Sequence, residues 1–173
     1  MGVFVVVHGS WHGGWCWEKI VPLLQKNGHI VLAPDLPGHG EDKTPIPKIS
    51  LRSYVDCVCK ILDVQSEPVT LVGHSRGGIV ISQTAEYRPE KIKKLVYLSA
   101  FLLRNGQSMI ELALQDTDSL IPPNLVFSED KSYHVIKDQS KTREIFYGDC
   151  AEEDVVRAMS RLVPSQRLPL KLL

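Results

Sequence analysis

The sequence has no excess of one charge and no long apolar run. Its 173 residues carry 20 basic and 20 acidic side chains, a formal net charge of zero, with no run of five or six like charges. This balance gives no support to nucleic-acid binding or to attraction by an acidic membrane. No stretch approaches the roughly 18 apolar residues that span a bilayer, and Val3–Val7 is too short for a signal peptide. We therefore expect a soluble protein that binds neither nucleic acid nor membranes.

Cysteines are few, and none of the four lies in a CxxC motif. Cys57 and Cys59 stand two positions apart on a predicted helix, so their side chains point to different sides and should not pair. The sequence contains no metal or nucleotide motif. We expect free buried thiols, no cofactor and a reducing, cytoplasmic location.

Short apolar runs alternate with helical patterns along the first hundred residues. Continuous rather than alternating runs are typical of buried parallel strands. Four runs have this character: Val3–Val7, His29–Ala33, Val69–Val72 and Leu95–Leu98. Three helical patterns accompany them: Trp15–Lys26, Leu51–Asp63 with Ser50 as N-cap, and Gly78–Tyr87. The alternation predicts an α/β fold with a mostly parallel sheet flanked by helices.

The pattern changes after the fourth strand. Residues 107–166 show no long strand but have helical patterns near Ser108–Gln115 and Glu152–Leu162. We interpret residues 1–106 as the α/β core and residues 107–166 as a helical lid inserted above the sheet. Residues 167–173 resemble the start of a return to the core, so we expect the last strands and a covering helix to be missing. The exposed edge and apolar face would favour aggregation or a homodimer.

A Gly-x-Ser-x-Gly motif follows the third predicted strand. It reads Gly73-His-Ser75-Arg-Gly77 and runs directly into an apolar helical pattern at Gly78. This strand–turn–helix order is that of a nucleophile elbow, where a strained turn lifts the serine above the sheet. The glycines stand where neighbouring backbone leaves no room for a Cβ. The motif predicts Ser75 as the nucleophile, with an ordinary glycine-rich turn as the alternative.

A second glycine-rich segment, His8-Gly-Ser-Trp-His-Gly-Gly14, follows the first strand. α/β-Hydrolases take one backbone N–H of the oxyanion hole from a loop at this place, and the other from the residue after the nucleophile. Those donors would be the backbone N–H groups of Ser10 and Arg76. A glycine-rich turn without a ligand is again the alternative.

These motifs together resemble one branch of the α/β-hydrolases: the plant methyl esterases of the salicylate-binding type, the related hydroxynitrile lyases and their bacterial esterase relatives. The resemblance covers residues 1–101 strongly and weakens through residue 166. It rests on four segments: His8-Gly-x-x-His-Gly-Gly-Trp-x-Trp17, Leu23-Leu24 before Gly28-His29, Asp35-Leu36, and Gly73-His-Ser-x-Gly-Gly78. It implies a cofactor-independent serine hydrolase, of the carboxylesterase type, acting on small esters.

Within that branch, the position of Gly9 separates two activities. The lyases have a substrate-binding threonine there, so the glycine favours ester hydrolysis over C–C cleavage. The resemblance also allows His12 to line the acyl pocket. Trp11 and Phe101 are candidates for packing over the substrate, although apolar core is the alternative for each.

The general base and its carboxylate are not evident. In the family the acid and then the histidine follow the serine in the chain, and only His134 follows Ser75 here. His134, with Asp130 nearby, could imitate such a pair, but a polar surface loop is our interpretation; His74 should point away from the site. Two hypotheses stay open. One is a truncated esterase with little activity, and the other is a non-catalytic protein that binds a small apolar ligand in the pocket.

Overall fold

A computed structural model describes residues 1–166 of the chain. Its main sheet has four parallel strands in the order β2-β1-β3-β4. These are β1 (Val3–Val7), β2 (Ile30–Leu32), β3 (Val69–Ser75) and β4 (Ile92–Ala100). The predicted α/β architecture with a parallel sheet is therefore confirmed. The expectation for residues 167–173 lies outside the described residues.

Helices cover both faces of the sheet. They are α1 (Ile20–Lys26), α2 (Leu51–Asp63) and α3 (Gly77–Tyr87). Because side chains alternate along a strand, Val5 and Val7 of β1 pack with α2 and α3, whereas Val6 packs with Trp17 and Val21 on the other face. This two-sided burial explains why the central strands are continuous apolar runs.

The first helical segment is shorter than the sequence predicts. A 3-10 turn spans Gly14–Trp17, and α1 begins only at Ile20. Pro22 accounts for the break, because it has no N–H to give to the fourth residue before it and its ring would meet that carbonyl. In the first turn of α1 that N–H has no helical acceptor, so the proline is tolerated there.

Helix α2 begins where the sequence places it, at a capping box. The Ser53 N–H donates to Ser50 Oγ over 3.0 Å, and the Ser50 N–H donates to Ser53 Oγ over 2.9 Å. We expect Ser50→Ala to lower the free energy of unfolding by about 1 kcal/mol, because the Ser53 N–H in the first turn loses its side-chain acceptor. Urea denaturation measures this. An unchanged midpoint would show that the cap is dispensable.

Residues 107–166, which we interpret as a lid, contain strands as well as helices. The helices are α4 (Met109–Ala113), α5 (Gln139–Phe146) and α6 (Glu152–Met159). A three-stranded antiparallel sheet joins β5 (Leu125–Phe127), β6 (Tyr133–Ile136) and β7 (Ser165–Gln166). Strands of two to four residues are too short to show alternation, so the sequence predicts the lid as helical only.

Strand β4 is an edge strand of the described sheet, paired only with β3. Its residues Lys93 and Lys94 are exposed. These two charged residues interrupt the apolar pattern, so the predicted run Leu95–Leu98 is shorter than the strand. An edge of this length can template pairing, and a homodimer stays a prediction. Among the residues that the structure describes, no helix has the length and apolar character needed to cross a membrane.

Candidate active site

Ser75 ends β3 at a sharp turn into α3. Its φ is +52°, in the left-handed region that non-glycine residues rarely occupy. Such a conformation costs on the order of 1–3 kcal/mol and persists only where the surroundings impose it. The side chain is half-buried and faces a cavity of about 830 Å³.

The glycines around Ser75 leave no space for side chains, as the sequence predicts. A Cβ on Gly73 would lie 2.7 Å from the Gly77 carbonyl carbon. A Cβ on Gly77 would lie 2.7 Å from the Val7 oxygen, and one on Gly78 would lie 2.3 Å from the Phe101 oxygen. Helix α3 therefore touches β1 and the end of β4 backbone to backbone, which fixes the turn that carries Ser75.

The loop after β1 lies directly against this turn. A Cβ built on Gly9 would be 2.9 Å from the Cβ of Ser75 and 3.3 Å from His74 Nδ1. Ser10 and Ser75 line the same cavity. The two glycine-rich segments, 65 residues apart in sequence, thus form one wall.

His8 fixes the peptide that carries the Ser10 N–H. Its Nε2 accepts a hydrogen bond from the Leu36 N–H (3.1 Å), so Nδ1 holds the proton and donates to the Gly9 oxygen (2.8 Å). Burial of the ring lowers the pKa of His8 to about 3, which keeps it neutral. The described peptide bonds include no cis bond, and in a trans peptide the N–H points opposite to the carbonyl. The Ser10 N–H therefore points away from the His8 ring.

The same reasoning applies to Arg76. The Ser75 oxygen accepts from the Phe101 N–H over 3.0 Å, so the N–H of Arg76, in the same peptide, points away from the end of β4. Both N–H groups singled out by the sequence are thus oriented by a hydrogen bond to the carbonyl of their own peptide.

The Arg76 side chain is buried, which the sequence does not indicate. It is 1% exposed; its guanidinium donates to Ser165 Oγ and to His39 Nε2, each over 2.8 Å, and lies 5.0 Å from the Tyr54 ring centre. An arginine in a glycine-rich turn is ordinarily a surface residue. Its partners come from a loop and a lid strand far away in sequence, so no local signal could reveal them.

The lid forms most of the cavity wall. Trp11 and Phe101 come from the core, and the sequence singled out both. Gly9 and His12 are not among the lining residues: His12 instead has Nδ1 on the Ser10 oxygen (2.8 Å) and Nε2 on the Tyr147 hydroxyl (2.7 Å). The apolar lining from the lid includes Met109, Ile110, Leu112, Leu114, Ile121 and Phe127.

The surface-loop interpretation of His134 is wrong. This histidine is 6% exposed on β6, contacts the Trp11 and Phe127 rings, and lines the cavity with Ser75. The short lid sheet, invisible in the sequence pattern, carries it inward. Asp130 stays on the surface, where Ser128 and Ser132 donate to its carboxylate and hold its pKa at about 2.

His74 packs away from the cavity. Its ring lies edge-on to Trp17, with 6.4 Å between ring centres, and burial lowers its pKa. The four cysteines are free thiols, and within residues 1–166 no group of three or more His, Cys, Asp or Glu is placed to hold a metal ion.

Comparison with known proteins identifies a family and several relatives. The family model described as "Alpha/beta hydrolase family" matches residues 4–171. Putative methylesterase 15, chloroplastic, of Arabidopsis thaliana is 35% identical over 178 residues, which cover 96% of this chain and 40% of the relative. A carbendazim hydrolyzing esterase of Nocardioides sp. is 40% identical over 114 residues, or 65% of this chain and 47% of the relative.

Solved structures agree with the fold. A pyrethroid hydrolase from Sphingobium faniae superposes with a TM-score of 0.87 at 27% identity, covering 98% of this chain and 70% of its own. The chain spans less than half the length of the two curated relatives named above.

Proposed function

The chain belongs to the alpha/beta hydrolase family, and on that premise we propose that its protein is a serine esterase that cleaves small esters through an acyl-enzyme on Ser75. One observation carries the proposal. Ser75 is held at a positive φ on the strand–helix turn, facing a cavity that it shares with Ser10. Strain of this kind is retained where it serves a site.

Each group has a role in the proposed reaction. Ser75 Oγ attacks the ester carbonyl, and the resulting oxyanion accepts hydrogen bonds from the backbone N–H groups of Ser10 and Arg76. Collapse of this intermediate expels the alcohol and leaves an acyl-serine, which water then hydrolyses. The fixed peptides of Gly9 and Ser75 support this assignment, because donors oriented in advance need no reorganisation during the reaction.

A general base must take the Ser75 proton. Two sources are compatible with the chain order of the family: His134, the only histidine after Ser75 in the sequence, or a histidine outside these 173 residues. His134 lines the cavity, but Asp130, which the sequence offers as its carboxylate, is bonded within its own turn. We therefore propose that the 173 residues alone hydrolyse esters slowly.

Substrate shape and chemistry follow from the cavity. Its lining is mainly apolar, and within residues 1–166 no Lys or Arg lines it, which supports an uncharged, apolar ester. At Gly9 no side-chain hydroxyl is available to hold a cyanohydrin, and the nearby Cβ of Ser75 leaves little room for one. Ester hydrolysis is therefore favoured over the lyase alternative. The cytoplasmic location stays a prediction, and so does the division of the chain into a core (residues 1–106) and a lid (residues 107–166).

Labelling of Ser75 tests the proposal. We expect a fluorophosphonate probe to label the folded 173-residue chain, and p-nitrophenyl acetate to be hydrolysed above background. Ser75→Ala should lose the labelling completely, because the probe bonds to the serine oxygen. Ser160→Ala, which removes an exposed hydroxyl outside the cavity, should keep it.

Three outcomes would count against the proposal. Persistent labelling of Ser75→Ala would place the nucleophile elsewhere. Cleavage of mandelonitrile without ester hydrolysis would favour the lyase. A folded wild-type chain that binds apolar ligands but is never labelled would favour the binding-protein alternative.

A further inference from the structure

The loop that carries Ser10 is bonded to the lid through both the backbone and the indole of Trp11. The Val163 N–H donates to the Trp11 oxygen over 3.0 Å, and the Trp11 indole N–H donates to the His134 oxygen over 3.3 Å. Trp11 has a φ of +63° and is 7% exposed. A bulky residue adopts this conformation only when its neighbours enforce it, and here two of the bonds that do so come from the lid.

A second connection runs from the lid to Ser10 through His12. The His12 Nδ1 faces the Ser10 oxygen, which can only accept, so the ring proton is on Nδ1. Burial lowers the pKa of His12 and raises the pKa of Tyr147, so both groups are neutral. The Tyr147 hydroxyl, at the end of α5, therefore donates to Nε2. This donor–acceptor chain links α5 to the peptide that follows Ser10.

A third connection reaches the other half of the site. The Arg76 guanidinium donates to the hydroxyl of Ser165, a fully buried residue of the lid strand β7. The backbone of Arg76 forms the turn after Ser75, and its side chain is anchored in the lid. Each residue proposed as an oxyanion donor is thus linked to a lid hydroxyl, Ser10 through its carbonyl and Arg76 through its side chain.

We infer that the lid positions both halves of the oxyanion hole, with Tyr147 and Ser165 as positioning residues that act through His12 and through the Arg76 side chain. This inference rests on the proposed function. Oxyanion donors are effective only when their direction is fixed before charge develops. The bonds to the Gly9 and Ser75 carbonyls give the two donors their direction. The lid hydroxyls hold the adjoining Ser10 carbonyl and the Arg76 side chain in place, so a displaced lid loosens both donors together.

Single-hydroxyl variants test the inference with matched controls. Tyr147→Phe and Ser165→Ala each remove one oxygen. Tyr133→Phe and Ser160→Ala remove the same groups from elsewhere in the lid. Within residues 1–166 the Tyr133 hydroxyl makes none of the described hydrogen bonds, and Ser160 bonds only within its own turn. The first readout is the amide ¹⁵N–¹H spectrum of the folded chain, which requires no activity. Tyr147→Phe should shift or broaden the Ser10 and Trp11 amides, and Ser165→Ala those of Arg76.

The second readout is the labelling rate of Ser75 by a fluorophosphonate. We expect about a tenfold loss in each positioning variant, since loosening a donor should cost less than the 10²–10³ for removing one. Binding of the unreactive ligand acetophenone should stay unchanged, which separates oxyanion geometry from cavity shape. The two control variants should match wild type in both readouts.

Amide signals and labelling rates that are the same in Tyr147→Phe and Tyr133→Phe would overturn the inference. If Tyr147→Phe does not fold, His12→Asn gives the same test, because its amide can donate to the Ser10 oxygen but is too short to reach Tyr147. A wild-type chain that is never labelled would overturn the proposed function alone, since the amide shifts still decide whether the lid orients these peptides.

Discussion

Gly78→Ala is expected to destabilise the fold by about 2 kcal/mol. The new Cβ would lie 2.3 Å from the Phe101 oxygen and 2.9 Å from the Ala100 Cβ, both at the end of β4. Overpacking typically costs about 1–3 kcal/mol, and a backbone neighbour cannot turn aside as a side chain can. The better helix propensity of alanine offsets only about 1 kcal/mol. The clash therefore outweighs the gain in helix propensity, and the net change in stability is unfavourable.

Urea denaturation of Gly78→Ala beside Gly148→Ala measures the effect. The nearest atom to a Cβ on Gly148 is the Glu144 oxygen at 3.6 Å, an ordinary contact, so that control should retain the wild-type midpoint. Any Gly78→Ala that folds should also lose Ser75 labelling, because α3 must move away from β4 where the turn is held. Equal midpoints for the two variants would show that α3 and β4 are not packed as described.

The strand–turn–helix geometry around Ser75 could be predicted from sequence because its constraints are local. A strand, a glycine two positions before the serine and another two after it, and a helix together define one turn, and Gly73 and Gly77 meet backbone as that turn requires. Helix α2 was equally predictable, since Ser50 caps it and its buried positions recur with helical spacing.

The lid contacts could not be predicted because their partners are far apart in sequence. Tyr147 meets His12 across 135 positions of sequence, and Ser165 meets Arg76 across 89. Such pairs depend on how the lid docks, and neither a tyrosine after a short helix nor a lone serine carries a periodic signal. His134 was misplaced for the same reason, because four residues of β6 are too few to show which side faces inward.

Mild acid is expected to unfold the chain, because buried histidines must take up protons. Burial, with a contribution from the Arg76 charge, lowers the pKa of His8 to about 3 and of His39 to about 2. In the unfolded chain both titrate near 6.5. Below that pH the unfolded state binds more protons, so stability that is complete above pH 6.5 is lost as the pH falls toward 3.

The size of this effect rivals the whole stability of a small domain. Each histidine contributes about 1.4 kcal/mol per pH unit below 6.5, so the pair lose about 5 kcal/mol between pH 7.5 and 4.5. Domains of this kind have about 5–15 kcal/mol in total. His12 and His74, whose pKa values are also lowered by burial, add to the loss. Most carboxylates titrate below this range, so the histidines dominate it.

We compare urea midpoints of wild type and His39→Gln at half-unit steps from pH 7.5 to 4.5. The comparison isolates the contribution of the His39 ring to the pH dependence of stability. The glutamine oxygen can replace Nε2 as the acceptor for Arg76, a role that a protonated His39 loses while adding a second positive charge beside the guanidinium. The variant should therefore take up about one proton fewer on unfolding at pH 5. A flat wild-type profile, or the same slope in both chains, would mean that these rings are not buried and neutral. The site would then not be held together by the support that they give to the Ser10 loop and the Arg76 side chain.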